Sequence, residues 1–275
     1  MTGGLGNQMF IYAFYLQMKK RFSDIRIDLS DMAHYHVHHG YEMHRVFNLP
    51  KVEFCINQTA KKILEFLFFK VIIERKQNGS LKAYTEQSFW PLVYFKGFYQ
   101  SERYFSEIED EIRKAFKFNL SEANPHSIKM MHQIDTDEKA VSLHIRRGDY
   151  LNPKHWDSIG CVCQLAYYQN AIDAMNKKVQ EPTYYVFSDD IDWVRENLDL
   201  PNAFFIDWNK GKDSWQDMML MSHCRHHIIC NSTFSWWGAW LNPHKEKMIL
   251  APEKWFKNIE TPYIYPEEWI KIPIN

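Results

Sequence analysis

Two consecutive arginines, Arg146 and Arg147, stand in the segment His144-Ile145-Arg146-Arg147-Gly148-Asp149-Tyr150, directly after the apolar run Ala140 to Ile145. Adjacent guanidinium groups can clasp a diphosphate through paired N–H donors. Strand alternation would put Arg146 and His144 on one side. A solvated charge cluster is the plain alternative for this pair. Arg147-Gly148-Asp149 also spells an adhesion tripeptide, set aside because it abuts a buried strand.

Three further segments carry chemistry-capable side chains at predicted element ends. In Cys230-Asn231-Ser232-Thr233-Phe234 a strand passes into a helix, so Ser232 and Thr233 either cap that helix or share a phosphate with its first-turn amides. Phe187-Ser188-Asp189-Asp190 ends another strand, and Asp190-Ile191-Asp192 has the D-x-D spacing of a divalent-metal site, although acids also favour helix N-termini. Gly3-Gly4-Leu5-Gly6-Asn7-Gln8 enters a helix and lacks the third glycine of a dinucleotide fingerprint, leaving a tight turn and a ligand loop both open. His34, His36, His38 and His39 cluster near His44, but their spacing shows no convergent ligand set; polar surface or acceptor-site residues are the preferred reading.

The elements that must position these residues alternate cleanly in the second half. Ala140 to Ile145, Thr183 to Phe187, Ala203 to Ile206, His227 to Cys230 and Met248 to Ala251 read as buried strands. Between them Leu165, Tyr168, Ile172, Met175 and Val179 recur at helical spacing, as do Trp215, Met218, Met219 and Ser222; Phe234, Trp237, Gly238 and Leu241 mark one face of a later helix. Such alternation predicts an α/β fold with a mainly parallel sheet and helices on both faces, whose ligands bind at the strands' carboxyl ends. In the first half Met9, Tyr12, Ala13 and Leu16 predict one apolar helix face, and Arg26 to Leu29 a strand. Ser121 to Glu138 is polar, contains Pro125 and shows no apolar period, which places a domain boundary there, between residues 1–125 and 126–275.

The chain of 275 residues is long enough for one large or two small domains. Lys plus Arg total 33 against 34 Asp plus Glu, for a net charge of -1, which argues against nucleic-acid binding. An aromatic fraction of 16% within 45% hydrophobic residues excludes a disordered chain and is compatible with sugar binding. No apolar run approaches the ~20 residues of a membrane span. The best candidate, Ile63 to Ile73, carries Glu65 and Lys70 and reads as a buried element, leaving weak membrane-surface association at most. There is no signal-peptide pattern, and the odd set Cys55, Cys161, Cys163, Cys224 and Cys230 lacks a C-x-x-C pair, so reduced thiols and a cytoplasmic location are expected.

Taken together, these blocks resemble glycosyltransferase family 11, the α1,2-fucosyltransferases. The resemblance rests on G-G-L-G-N-Q-M-F from Gly3 to Phe10, H-I-R-R-G-D-Y from His144 to Tyr150, F-S-D-D from Phe187 to Asp190 and N-S-T-F-S-W-W-G-A-W-L from Asn231 to Leu241. Gly40 to Leu49 and Tyr99 to Phe105 also look like family segments. The resemblance implies a GT-B-type architecture, two Rossmann-like domains facing a cleft, with an N-terminal acceptor side and a C-terminal nucleotide-sugar side. It further implies GDP-β-L-fucose as donor, a galactose-terminated glycan as acceptor, inversion at the fucose anomeric carbon, and no metal or other cofactor. By the same resemblance Arg146 would stabilise the leaving diphosphate, Arg147 would support it, and Ser232, Thr233 and the Phe234 amide would hold phosphate oxygens. Asp217 would accept hydrogen bonds from guanine, Ser188 and Asp189 would lie near the nucleoside, Gly6 and Asn7 would reach toward the donor, and His144 would orient the site. Asp149 is the motif-borne candidate for the general base, pinning of Arg146 or the loop is its alternative role, and Glu102 or a histidine of the 34–44 cluster could serve instead. Family members place a strand before the glycine loop, whereas only Met1 and Thr2 precede it here, so the expectation is an upstream start or a missing first strand.

Two competing functions stay open on the sequence: a metal-dependent sugar transferase of another class using Asp190 and Asp192, and a sugar-binding module without turnover. The acceptor glycan and oligomeric state are not legible.

Overall fold

The computed structural model describes residues 1–32, 39–52, 56, 57, 59, 63, 69–74 and 92–275. His34, His36, His38 and Cys55, named above, lie outside the described residues. The chain divides into two compact units, Met1–Asn119 and Leu120–Asn275.

The first unit is built on helix α1 (Leu5–Lys19). Its buried face is wider than the predicted stripe: Phe10, Phe14 and Met18 join Met9, Tyr12 and Ala13, whereas Leu16 is only half-buried. Aromatic side chains account for the width. Phe14 stacks on Tyr99 at 3.7 Å between ring centroids and meets Tyr104 edge-on at 5.9 Å. Strands β1 (Phe69–Ile73) and β2 (Leu92–Lys96) pair in parallel. Within β1, Val71 and Ile73 are exposed and Ile72 is buried, so the part of the apolar run that lies in this strand has one covered face; Ile63, at the other end of the run, is exposed. Arg26 to Leu29 is not part of a strand ladder, although Ile27 and Leu29 are buried. Among the described residues the unit also holds the short helix α2 (Met43–Val46) and helix α3 (Glu109–Ala115).

The second unit holds β3 (Ala140–Ile145), β4 (Thr183–Ser188), β5 (Ala203–Ile206), β6 (His226–Ile228), β7 (Ile249–Pro252) and β8 (Ile270–Ile272). They form one parallel sheet in the order β5-β4-β3-β6-β7-β8. Helix α4 (Pro125–Asp135) precedes β3, and helices α5 (Leu165–Asn176), α6 (Ile191–Asn197), α7 (Trp215–His223) and α8 (Thr233–Leu241) connect the successive strands from β3 to β7. Counting outward from β3, this is the doubly wound order of a dinucleotide-binding sheet, with its topological switch between β3 and β6.

Helix α4 lies in the segment predicted to lack an apolar period. Ser127, Met130, Met131 and Ile134 are all buried, at spacings of three, one and three, and Asn124 caps the helix with Pro125 in its first turn. The polar residues on its other face masked that stripe. Helix α8 departs from its prediction in the opposite direction, because Ser235 through Trp240 are buried without interruption rather than along one face. The C-terminal segment covers it: Trp236 packs on Trp269 at 5.3 Å and its indole donates to the Ile264 carbonyl at 2.8 Å. On its inner side, a methyl group at Gly238 would come within 2.9 Å of Met221 Cβ, so α8 and α7 approach closely.

A buried polar chain closes the switch point. Asn242 Oδ1 accepts from the His244 amide at 2.7 Å, which assigns Asn242 Nδ2 as the donor to His227 Nε2, also at 2.7 Å. The remaining proton of that neutral ring therefore sits on Nδ1 and points at Ser142 Oγ, 2.7 Å away. Burial, reinforced by Lys247, His226 and His244, holds the His227 pKa well below its ordinary value, which fits this neutral form.

Candidate active site

Strands β3 and β6 carry their next residues past the sheet edge side by side. His144, near the end of β3, places Nδ1 3.2 Å from Cys230 Sγ, and its ring lies 5.8 Å from that of Phe234. Burial, together with the Arg146 charge, pushes the His144 pKa down to about 3, so the imidazole is neutral and supports the site from beneath. Burial likewise raises the Cys230 thiol to about 12, leaving it protonated.

Arg146 is fixed from two sides. Its Nε donates to Asp149 Oδ1 at 2.8 Å, with Nη2 also 2.8 Å from that oxygen, while Nη1 lies 3.1 Å from Asp189 Oδ2. Burial alone would lower the Arg146 pKa, but Asp189 and Asp149 outweigh it and hold the guanidinium charged. A guanidinium carries five N–H groups, so these contacts leave one N–H on each of Nη1 and Nη2 for an anion. Asp189 also accepts from the Arg147 amide at 2.8 Å. A methyl group at Gly148 would stand 2.6 Å from Asp189 Oδ2, which makes glycine the residue that lets the loop close on this carboxylate.

Arg147 turns away. Its Nε donates to Asp190 Oδ2 at 3.0 Å and its guanidinium covers the Trp193 ring at 3.9 Å. Asp190 also caps α6, accepting from the Trp193 amide at 3.3 Å, and Asp192 pairs with Arg195 at 3.3 Å. Both carboxylates of the D-x-D spacing are thus engaged by arginines. Ser188 Oγ accepts from the Asp190 amide at 3.0 Å.

At the start of α8, Ser232 Oγ accepts from the Phe234 amide at 3.3 Å, a long capping bond that a better acceptor could displace. Thr233 and Phe234 are half-buried beside it, and the first-turn amides form an anion-ready helix N-terminus. Asn231 anchors the turn by donating to the Ile159 and Trp255 carbonyls at 3.0 and 2.9 Å, and its own carbonyl receives the Tyr150 hydroxyl at 2.9 Å.

Asp217, in the first turn of α7, is half-buried and receives Asn209 Nδ2 at 2.8 Å. Burial pushes its carboxyl up to about 8 and the Asn209 bond only partly opposes this. Since the side chain keeps some surface, a ligand can reach it. Asn209, Ser127 and Asn124 around it were not singled out in the sequence, although Asn209 follows the carboxyl end of β5, where ligand-binding residues of such sheets lie.

The first unit holds the remaining predicted residues. Gly6 and Asn7 occupy the first turn of α1, and Asn7 Oδ1 accepts from Gln100 Nε2 at 2.7 Å. Gly3 has a φ of 84°, a conformation suited to glycine. Buried Gln8 ties this loop to a second one: Nε2 donates to the Gly3 and Gly40 carbonyls at 3.0 and 2.8 Å, and Oε1 accepts from the Glu42 amide at 3.0 Å. Glu102 opens a single helical turn after its cap Ser101.

A model of glycosyl transferase family 11 matches residues 1–273. An alpha-1,2-colitosyltransferase of Escherichia coli is 33% identical, over 99% of this chain and 97% of its own length. The O-antigen biosynthesis glycosyltransferase WbnK of Escherichia coli is 30% identical over 99% of both chains. A galactoside alpha-(1,2)-fucosyltransferase 1 of Ateles belzebuth is 27% identical over 66% of this chain and 53% of its own. In fold, the chain is similar to the fucosyltransferase NodZ of Bradyrhizobium, with a TM-score of 0.54 at 15% identity over 87% of this chain and 90% of that one. A structure of NodZ alpha-1,6-fucosyltransferase co-crystallized with GDP gives 0.51 at 17% identity, again over 87% and 90%. Among the described residues no helix is long and apolar enough to cross a membrane.

Proposed function

Because the chain belongs to glycosyltransferase family 11, we propose that this glycosyltransferase moves L-fucose from GDP-β-L-fucose to the 2-hydroxyl of a terminal β-galactoside, in the cytoplasm, with inversion and without a metal. The observation that carries the reading is that adjacent strands β3 and β6 send the Arg146 loop and the segment leading to Ser232 off the same edge of the sheet at its switch point, where His144 and Cys230 meet at 3.2 Å. A diphosphate there would lie between the two free N–H groups of Arg146 and the first-turn amides of α8.

On this reading the acceptor oxygen forms its bond to the anomeric carbon as the bond from that carbon to the β-phosphate oxygen breaks. Negative charge develops on the departing diphosphate, and Arg146, held rigid by Asp149 and Asp189, stabilises it without reorganising. The acceptor proton passes to a base. Because Asp149 is committed to Arg146, we assign it the pinning role and leave Glu102 or the histidines of residues 34–44 as base candidates. The two units correspond, in this proposal, to the acceptor-side and donor-side domains of a GT-B enzyme.

The colitosyltransferase of Escherichia coli, 33% identical over 99% of this chain, supports a second reading of the sugar alone: the same transfer with a colitosyl donor. The test is GDP release measured with lactose present and absent. Lactose-dependent release from GDP-fucose, surviving excess EDTA, is the expected result. Release only from the colitosyl donor would replace the sugar. Loss of activity in EDTA would point to the metal-dependent class, and GDP-fucose binding without release to a binding module.

A further inference from the structure

Asn209 is 6% exposed and follows β5 at the carboxyl edge of the sheet. Every polar atom of its amide is committed, and the direction of each bond follows from its neighbours. Trp208 Nε1 can only donate, and it donates to Ser127 Oγ at 3.0 Å. The Ser127 hydroxyl proton is therefore free to point at Asn209 Oδ1, 2.9 Å away. Asn124 Oδ1 accepts from the Ser127 amide at 2.7 Å, so Asn124 Nδ2 is its donating end and reaches the same Asn209 Oδ1 at 2.9 Å. With two donors on Oδ1, the amide cannot flip, and Nδ2 is aimed at Asp217 Oδ1 at 2.8 Å.

This arrangement occupies one lone pair of Asp217 Oδ1 and restricts how the carboxylate turns. Among the described residues Asp217 Oδ2 receives no hydrogen bond, so the group presents two oxygens in a set orientation and only as acceptors when ionised. Of the nucleobases, guanine alone offers two adjacent donors, N1–H and the 2-amino group, on one edge. Hypoxanthine has the first only, and uracil places its single N–H between two acceptors.

We propose that Asn209 is a specificity-determining positioning residue, which holds Asp217 at the angle where both carboxylate oxygens meet the guanine edge. The proposal rests on the reading of Asp217 as the base-recognising residue and adds the residue that aims it. A merely structural Asn209 would support folding without affecting the discrimination between bases.

The experiment measures binding of GDP, IDP and UDP to the full chain, to Asn209→Asp and to Ser127→Ala. Asn209→Asp keeps an acceptor toward Ser127 and Asn124 but sets a carboxylate oxygen against Asp217 in place of the donor, which removes the aiming bond and adds like charge; Ser127→Ala, which adds no charge, separates the two effects. The native chain is expected to prefer GDP over IDP by about tenfold, one hydrogen bond to a charged group, and over UDP by more. In Asn209→Asp the GDP to IDP ratio should fall to near one, with donor KM raised and kcat at saturating donor changed by less than about threefold. Ser127→Ala leaves Asn209 in place but removes one of the bonds fixing its amide, so it should narrow the ratio part of the way, and it carries the test if Asn209→Asp does not fold. A native chain that binds UDP as well as GDP overturns the guanine reading itself. Native discrimination that survives unchanged in the folded variants overturns the role of Asn209 and leaves that reading standing.

Discussion

Asp189 holds Arg146 and its successor with different oxygens: Oδ2 lies 3.1 Å from Arg146 Nη1, while Oδ1 accepts from the Arg147 amide at 2.8 Å. One carboxylate just past the end of β4 thereby sets both the side chain and the backbone of the loop that leaves β3. The two arginines, equivalent in sequence, are not equivalent in structure.

Arg146→Ala is expected to lower kcat by roughly 100-fold or more, the loss of a preorganised charge stabiliser worth ~3 kcal/mol. Arg147→Ala should cost less, because its guanidinium serves Asp190 and Trp193. Steady-state kinetics of the two variants check this. Equal losses would show that Arg147 also contacts the leaving group.

Asp189→Asn keeps an acceptor for the Arg147 amide and removes the charge beside Arg146. The expectation is a fall in kcat of about tenfold with little change in donor KM, the pattern of an interaction realised in the transition state. A rise in KM alone would instead place Asp189 against the nucleoside, as the family resemblance implied.

Asp217 couples pH to binding and to stability in opposite senses. Its folded pKa, pushed up to about 8 by burial, lies above its unfolded value. Between about pH 4 and 8 the folded chain therefore binds the extra proton, and this group's contribution to stability falls as pH rises through that window. If Asp217 receives guanine as proposed, binding needs the ionised form, so GDP affinity should rise over the upper part of the same window. Asp217→Asn should flatten both slopes, and Asp217→Ala should raise donor KM and relax the preference for GDP over UDP. Thermal melts and GDP titrations at several pH values read both, and a native GDP affinity that does not change with pH would remove Asp217 from the base pocket.

Gln8→Leu keeps the approximate volume of a buried side chain and deletes three hydrogen bonds, leaving the Gly3 and Gly40 carbonyls and the Glu42 amide without it. A loss of about 2–4 kcal/mol is expected from a denaturant titration. Protease cleavage near Gly3 or Gly40 should accelerate in parallel, and unchanged cleavage at both would mean that other contacts hold these loops.

The framework of the second unit was legible because its signals are local. The apolar runs around Val141, Val186 and Phe205 and the helical spacing from Leu165 to Met175 specify a parallel α/β unit without knowledge of partners. The functional segments lay where such sheets bind ligands, at strand ends. Asn209, Ser127 and Asn124 were not legible, because a hydrogen-bond relay joining residues more than eighty positions apart leaves no periodic trace. Helix α4 was missed since the polar residues on its outer face hide the buried stripe, and the one-sided reading of α8 missed the C-terminal segment that covers Trp236. Asp189 illustrates a third cause. Its motif marked it as important, but only the approach of two strands shows that it grips Arg146.

The seam between β3 and β6 has a consequence for the order of folding. Ser142 and His227 are 85 positions apart in the chain, and His144 and Cys230 are 86, so the place where the arginine loop meets the start of α8 cannot assemble until half the second unit has been gathered. Contacts of that separation close large loops and form late. A nucleotide that needs both sides of the seam finds nothing to hold in the unfolded chain or in an early intermediate. Its stabilising effect should therefore appear as slower unfolding, with the refolding rate left nearly unchanged.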